Sequence, residues 1–134
     1  MIVVDTNILV DFKISTENTS LIEKVFQCDS QWETPLVWKS EFRNVLAVRL
    51  RNNRINFIDA IRVLRETEQL LKGHEHIVPS ELVLNLAYES GCSAYDCEFV
   101  ALAHQVGIPL VTQDKQILKA FPQTAVSAQE FIKR

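Results

Sequence analysis

Two short apolar runs each stop at an aspartate, and they constrain this chain more than any other feature. Ile2-Val3-Val4 ends in Asp5, and Leu110-Val111-Thr112-Gln113 ends in Asp114. A strand with one face in water alternates apolar and polar residues, whereas a strand covered on both faces is apolar throughout. Both runs therefore read as buried strands of a parallel sheet. Parallel strands need a crossover segment between them, usually a helix.

The rest of the chain supplies those crossovers. The spacing predicts a helix beginning at 8–12, a polar loop at 15–20 and helical character again over 21–27. Residues 31–34 read as a short strand closed by Pro35. A long helix is expected over 36–51, with Phe42, Val45, Leu46 and Leu50 on one face. Asn52-Asn53 interrupts it. A second long helix is expected over 55–71, with Phe57, Ile58, Ile61, Leu64, Leu70 and Leu71 turned to the core and Gly73 closing it. His76-Ile77-Val78 reads as a strand, with Ser80 capping the helix that runs on to Glu89. Ser93 followed three residues later by Asp96 has the spacing of a capping box, and that helix ends at Gly107, before Pro109. Residues 108–112 form the second acid-ended strand. A short helix to Phe121, a last strand at Val126 and a helix over 128–132 complete the series. The expected architecture is a single α/β domain over 1–134, with a mostly parallel sheet of four to five strands and helices on both faces.

At 134 residues the chain is close to the commonest domain size. With 3 Gly and 4 Pro it has no flexible linker. The net charge of −3 gives no global sign of a nucleic-acid binder. Met-Ile-Val-Val-Asp carries no basic leader, and no run approaches the roughly 18 apolar residues of a membrane span. The 3 Cys, at 28, 92 and 97, lack metal-type spacing and are odd in number. A reducing cytoplasm is the expected setting.

In parallel α/β sheets, ligands bind beyond the carboxyl ends of the strands. Asp5 and Asp114 stand there, and helix starts carrying Asp96 and Glu41 face the same rim. Four carboxylates can thus converge from four separated segments. Two unit charges about 4 Å apart repel by several kcal/mol at an effective dielectric of roughly 20. Such a cluster needs protons or a cation. Oxygen-only ligands suit Mg²⁺ or Mn²⁺ rather than Zn²⁺. Thr6, Asn7, Ser93 and Thr112 are placed to orient the acids or bound water. Each acid also has a simpler role: Asp5, Asp96 and Asp114 as caps or turn residues, Glu41 as a solvated helix residue.

Charge is uneven. Lys39, Arg43, Arg49, Arg51, Arg54, Arg62 and Arg65 face only Glu41 and Asp59 in their stretch, seven against two, or +5; the rest of the chain then carries −8. Arg43, Arg49, Arg51 and Arg54 are candidate RNA contacts, with a solvated helix face as the alternative. His74 and His76 lack a Cys or third His and read as a strand edge. Trp32, Trp38, Phe57, Phe99 and Tyr95 read as core or interface, and Cys97 as a packing residue.

The ordered set Asp5-Thr6-Asn7, Ser40-Glu41-Phe42, Ser93-Ala94-Tyr95-Asp96 leading into Val100-Ala101-Leu102-Ala103, and Pro109-Leu110-Val111-Thr112-Gln113-Asp114 resembles the PIN-domain nucleases, and within them the VapC-type toxins of toxin–antitoxin pairs. The resemblance spans essentially the whole chain. It implies a Mg²⁺-dependent endoribonuclease with Asp5, Glu41, Asp96 and Asp114 as its acidic set, working by in-line attack of water at phosphorus. Asp5 and Asp96 would be direct ligands, with Glu41 and Asp114 acting directly or through water. It also implies a homodimer and a small cognate antitoxin. Three other readings compete. A haloacid-dehalogenase-like phosphatase needs an Asp where Asn7 stands, and a receiver-type domain needs a late-strand Lys that is not evident. A PIN-like module acting only as a protein scaffold is disfavoured by four intact acids.

Overall fold

In the computed structural model, which describes residues 1–134, the two acid-ended runs lie side by side at the centre of one sheet. The strands are β1 (Ile2–Val4), β2 (Trp32–Pro35), β3 (Glu75–His76), β4 (Leu110–Val111) and β5 (Ala125–Val126). Their order is β3-β2-β1-β4-β5, with every neighbouring pair parallel. Val3 lies opposite both Glu33 and Leu110, and Val4 opposite Val111. The apolar runs are buried as their composition requires: Ile2, Val3, Val4, Leu110 and Val111 are all 1% exposed or less.

Eight helices make the connections: α1 (Thr6–Lys13), α2 (Thr19–Cys28), α3 (Val37–Arg51), α4 (Phe57–Leu71), α5 (Ser80–Ser90), α6 (Ala94–Val106), α7 (Lys115–Ala120) and α8 (Ala128–Ile132). The chain winds β1, β2, β3 to one side, then returns past β1 to β4 and β5. Right-handed crossovers therefore put α1 to α4 on one face and α5 to α7 on the other. In agreement, α1 packs on α2, α3 and α4, while α6 packs on α5 and lies against β1, β2 and β4. Because α6 is enclosed, Cys97 and all residues from Phe99 to Ala103 are buried. Gly107 ends it at φ 75°, a left-handed turn that brings the chain straight into β4. Trp38 and Phe42 on α3 are fully buried, with ring centroids 5.8 Å apart.

Several expectations need correction. The buried face of α4 is Ala60, Val63, Thr67 and Leu71. Phe57 and Ile58 are 67% and 82% exposed, and Ile61 also faces outward. Leu71 is buried as expected and Leu64 and Leu70 pack on the core, but Ala60, Val63 and Thr67 supply the rest of the stripe, and the Thr67 hydroxyl is satisfied within the helix by donating to the Val63 carbonyl at 2.8 Å. Asn56, whose side chain accepts the Asp59 amide, sets the start of α4. β3 is only Glu75–His76, and Ile77 is 82% exposed. Ser80 does not cap α5; Pro79 holds that position and no side chain bonds the helix start. Of the five aromatic residues read as core or interface, Trp32, Trp38 and Phe99 are buried, but Phe57 and Tyr95 are exposed.

Two local structures were hidden from sequence reading. Asn53 turns the end of α3 at φ 55°. The Arg54 amide then reaches the Arg49 carbonyl at 2.8 Å and the Asn53 amide the Leu50 carbonyl at 3.2 Å, a Schellman closure with Asn in the left-handed place. At the sheet edge, Glu33 is 5% exposed and its two oxygens meet His74 Nδ1 at 2.6 Å and His76 Nε2 at 2.8 Å. A buried carboxylate needs such donors. The paired histidines thus have a partner on the adjacent strand.

Candidate active site

The strand order reverses between β1 and β4, and ligand crevices of doubly wound sheets open at that switch point. Asp5 follows β1 there. Its Oδ1 accepts the Thr6 amide at 2.7 Å and so caps α1; its Oδ2 accepts the Thr112 hydroxyl at 2.7 Å, across from the end of β4. Thr112 is fully buried, and its oxygen in turn accepts the Asp114 amide at 3.0 Å. Asn7 stitches the same two strand ends. Its amide nitrogen lies 3.4 Å from both Asp5 Oδ2 and Thr112 Oγ1, and its oxygen accepts the Gln113 amide at 3.2 Å. The Thr6 hydroxyl donates to Glu41 Oε1 at 2.7 Å, tying α3 to the start of α1. Ser93 caps α6 by accepting the Asp96 amide at 3.0 Å, which holds the first turn and its acid in place. Asp114 caps α7 through Oδ1, accepting the amides of Gln116 and Ile117.

All four acids line one cavity of about 710 Å³, together with Thr6, Asn7 and a less polar wall that includes Val10, Val37, Val45 and Tyr95. Asp5, Glu41 and Asp96 resist ionisation there. Burial pushes the Asp5 carboxyl up from 3.8 to about 7, against the Thr112 and Thr6 hydrogen bonds, and the charges of Glu41 and Asp96 add to the rise. Burial also raises Glu41 against the Thr6 hydrogen bond, with repulsion from Asp96 and Glu98. Asp96 is raised by burial against its bond to Ser93, with repulsion from Asp114. Capping and clustering therefore coexist: the simpler cap roles of Asp5 and Asp114 are real, yet each uses the carboxylate without removing it from the cavity.

The donor set is oxygen only, desolvated and acidic, which fits a hard divalent cation. No three His, Cys, Asp or Glu side chains stand close enough to enclose one ion directly. Sequence reading passed over two polar wall residues, Asp11, whose Oδ1 accepts the Thr16 hydroxyl, and Asn44; Tyr95, read from sequence as core or interface, stands 63% exposed at the lip. Asn44 and Val45 follow Glu41 at i+3 and i+4, the helical spacing that could have found them. Arg49 and Arg54 border a neighbouring hollow, whereas Arg43 and Arg51 are exposed outside both cavities.

Fold and site define a class, the doubly wound all-parallel α/β domain with desolvated carboxylates at its switch point. Within that class the chain belongs to the PIN domain family, whose model matches residues 2–122. It is 26% identical over 124 residues to Ribonuclease VapC3 of Pyrobaculum aerophilum, covering 90% of this chain and 95% of that one. Its fold is similar to the crystal structure of PAE2754 from Pyrobaculum aerophilum, with a TM-score of 0.79 at 23% identity over 99% of this chain and 94% of that one. It is also similar to a toxin–antitoxin complex from Klebsiella pneumoniae, with a TM-score of 0.68 at 16% identity over 96% and 98% of the two chains.

Proposed function

We propose that this protein is an endoribonuclease dependent on Mg²⁺ or Mn²⁺, and the toxin of a toxin–antitoxin pair. The observation that carries this reading is the buried Asp5 carboxyl at the switch point, raised to about 7 and sharing one cavity with Glu41, Asp96 and Asp114. Four acids brought to one cavity, with the ionisation of Asp5, Glu41 and Asp96 opposed by burial, match a site that takes a cation. The relation to a protein named as a ribonuclease supports RNA as the substrate, and the similarity to a toxin–antitoxin complex supports a small antitoxin partner.

Asp5, Glu41, Asp96 and Asp114 are the residues that would hold the cation. When bound, it would supply positive charge against the phosphoryl oxygens and lower the pKa of water. The chain's own part is positional. Thr112 and the Thr6 amide fix the Asp5 carboxylate, one donor on each oxygen, so that neither rotates away. Thr6 fixes one oxygen of Glu41 and leaves the other free. Asp114 uses Oδ1 for its cap and keeps Oδ2 for water or cation. The apolar wall excludes water beside the reacting phosphate, and Tyr95 at the lip offers a ring on which a base can stack. A homodimer acting in the cytoplasm completes the proposal.

The test is digestion of total RNA with and without Mg²⁺, with the cut ends mapped, and Asp96→Asn as control. Cleavage that needs the cation and is lost in Asp96→Asn, while thermal unfolding stays cooperative, is expected. Absence of any cleavage by the wild-type protein across the RNA panel favours a non-catalytic scaffold.

A further inference from the structure

We propose that the hollow between Arg49 and Arg54 is a second phosphate subsite, which grips the backbone of single-stranded RNA away from the phosphate that reacts. This rests on the nuclease reading of the acidic cavity and adds the path of the substrate strand.

The hollow, about 390 Å³, is lined by Asn44, Val45, Val48, Arg49, Asn52 and Arg54. Asn44 and Val45 also line the acidic cavity, so the two spaces adjoin along α3. Their floor is a single stripe of that helix. Glu41, Asn44, Val45, Val48, Arg49 and Asn52 recur at the three- and four-residue steps that share a helix face. From Glu41 to Arg49 the helix advances roughly 12 Å. The charge therefore changes sign along the stripe, from carboxylates to guanidiniums, at a separation that suits two different phosphates of one strand.

The arginine end is built by the backbone. Asn53 at φ 55° folds the chain back so that Arg54 bonds to the carbonyl of Arg49, which brings the two side chains to one hollow. Neither has an ion-pair partner. Within the same basic stretch Lys39 and Arg65 pair with Glu68 and Arg62 with Asp59 and Glu66, while Arg43 and Arg51, also unpaired, line neither space. Two unpaired guanidiniums lining one hollow are matched by a phosphate, which they bind with forked hydrogen bonds. The amides of Asn44 and Asn52 add partners for a ribose 2′-hydroxyl. Val45 and Val48 give the stretch between the two ends an apolar surface for sugar and base.

The experiment uses the full chain in an Asp96→Asn background. Affinity for a fluorescent oligouridylate is read by anisotropy over a range of salt, for Arg49→Ala, Arg54→Ala, Arg49→Lys and, as a charge-matched control on α2, Lys24→Ala. Each alanine variant at the hollow is expected to weaken binding roughly tenfold, the size of one charge-assisted contact. Each is also expected to lower the slope of log K against log salt by about 0.7, one phosphate on a single strand. Arg49→Lys keeps the slope but loses affinity, and Lys24→Ala changes neither. Equal losses in Lys24→Ala, or unchanged affinity in both hollow variants, overturn the subsite. So does an equal loss for poly-glutamate, which would assign the hollow to an acidic peptide. Unaltered melting temperatures show that the variants fold. Mg²⁺-dependent cleavage by the wild-type protein is assayed separately, so failure of the nuclease reading and failure of the subsite are told apart.

Discussion

Replacing Asp5 by asparagine separates the cost of a buried charge from the shape of the site. In the cation-free protein this carboxyl titrates at about 7 instead of 3.8. Between those values the folded protein holds a proton that the unfolded chain has released. Stability is then fullest below the lower value, falls as pH rises through the window, and levels off above about 7. A window of about 3 pH units at about 1.36 kcal/mol each corresponds to a loss of about 4 kcal/mol between pH 4 and pH 8. Glu41 and Asp96, also raised, act in the same direction. Asparagine keeps the shape and carries no charge. Its oxygen can accept the Thr6 amide, but its amide nitrogen then faces the Thr112 hydroxyl, where one hydrogen bond worth about 1 kcal/mol is lost. The net expectation at pH 8 is a gain of about 3 kcal/mol, or roughly 10 °C in melting temperature for a domain of this size. At pH 4 the two proteins should differ by about 1 kcal/mol or less, with the variant the weaker. Thermal unfolding followed by circular dichroism in chelator, across that range, reads both numbers. Parallel curves for wild type and Asp5→Asn, or a variant that is less stable at pH 8, would refute the argument that the site stores unfavourable charge. Catalytic cleavage should vanish in the same variant.

Three further outcomes follow from the same geometry. Added Mg²⁺ should raise the melting temperature of the wild-type protein more at pH 8 than at pH 6, because fewer protons must leave the acids, and should leave Asp5→Asn nearly unmoved; a pH-independent shift in both would count against cation binding at these carboxylates. Thr112→Val removes the donor to Asp5 and the acceptor of the Asp114 amide, so it should cost about 1–3 kcal/mol and move the rise of the pH–rate profile to higher pH, since the bond it deletes holds the Asp5 pKa down. Glu33→Gln leaves one acceptor for two imidazoles and should lower the urea midpoint by the equivalent of about 1–3 kcal/mol, with cleavage per folded molecule unchanged.

How far the chain could be read in advance depended on the range of the forces involved. β1 and β4 were legible because burial on both faces writes a continuous apolar run, and their terminal acids marked the rim. The strand order was not legible, since β3 and β5, at two residues each, exist only through pairing with β2 and β4. The face of α4 was legible only in its second half: Leu64, Leu70 and Leu71 pack in or against the core as expected, but Phe57, Ile58 and Ile61 turn outward and Ala60, Val63 and Thr67 fill the inward positions. Asp5 and Asp114 were visible from strand ends and Asp96 from a capping spacing, but Glu41 drew its weight from the ordered family motif. The meeting of Glu33 with His74 and His76 depends on a strand pairing some 40 residues apart in sequence, and no local rule reaches that far.

The two brief outer strands have a consequence of their own. A sheet edge is a template, offering unpaired amides and carbonyls to any extended chain that drifts past. Here β3 and β5 present only two residues each, and β3 carries the charged and imidazole side chains of Glu75 and His76. Five strands are thereby kept from growing a sixth from another molecule. Of the most exposed apolar groups, Phe57, Ile58, Leu84 and Tyr88 sit on helices, and Ile77 lies just past the end of β3. The shape of its borders therefore guards the protein against fibrous stacking.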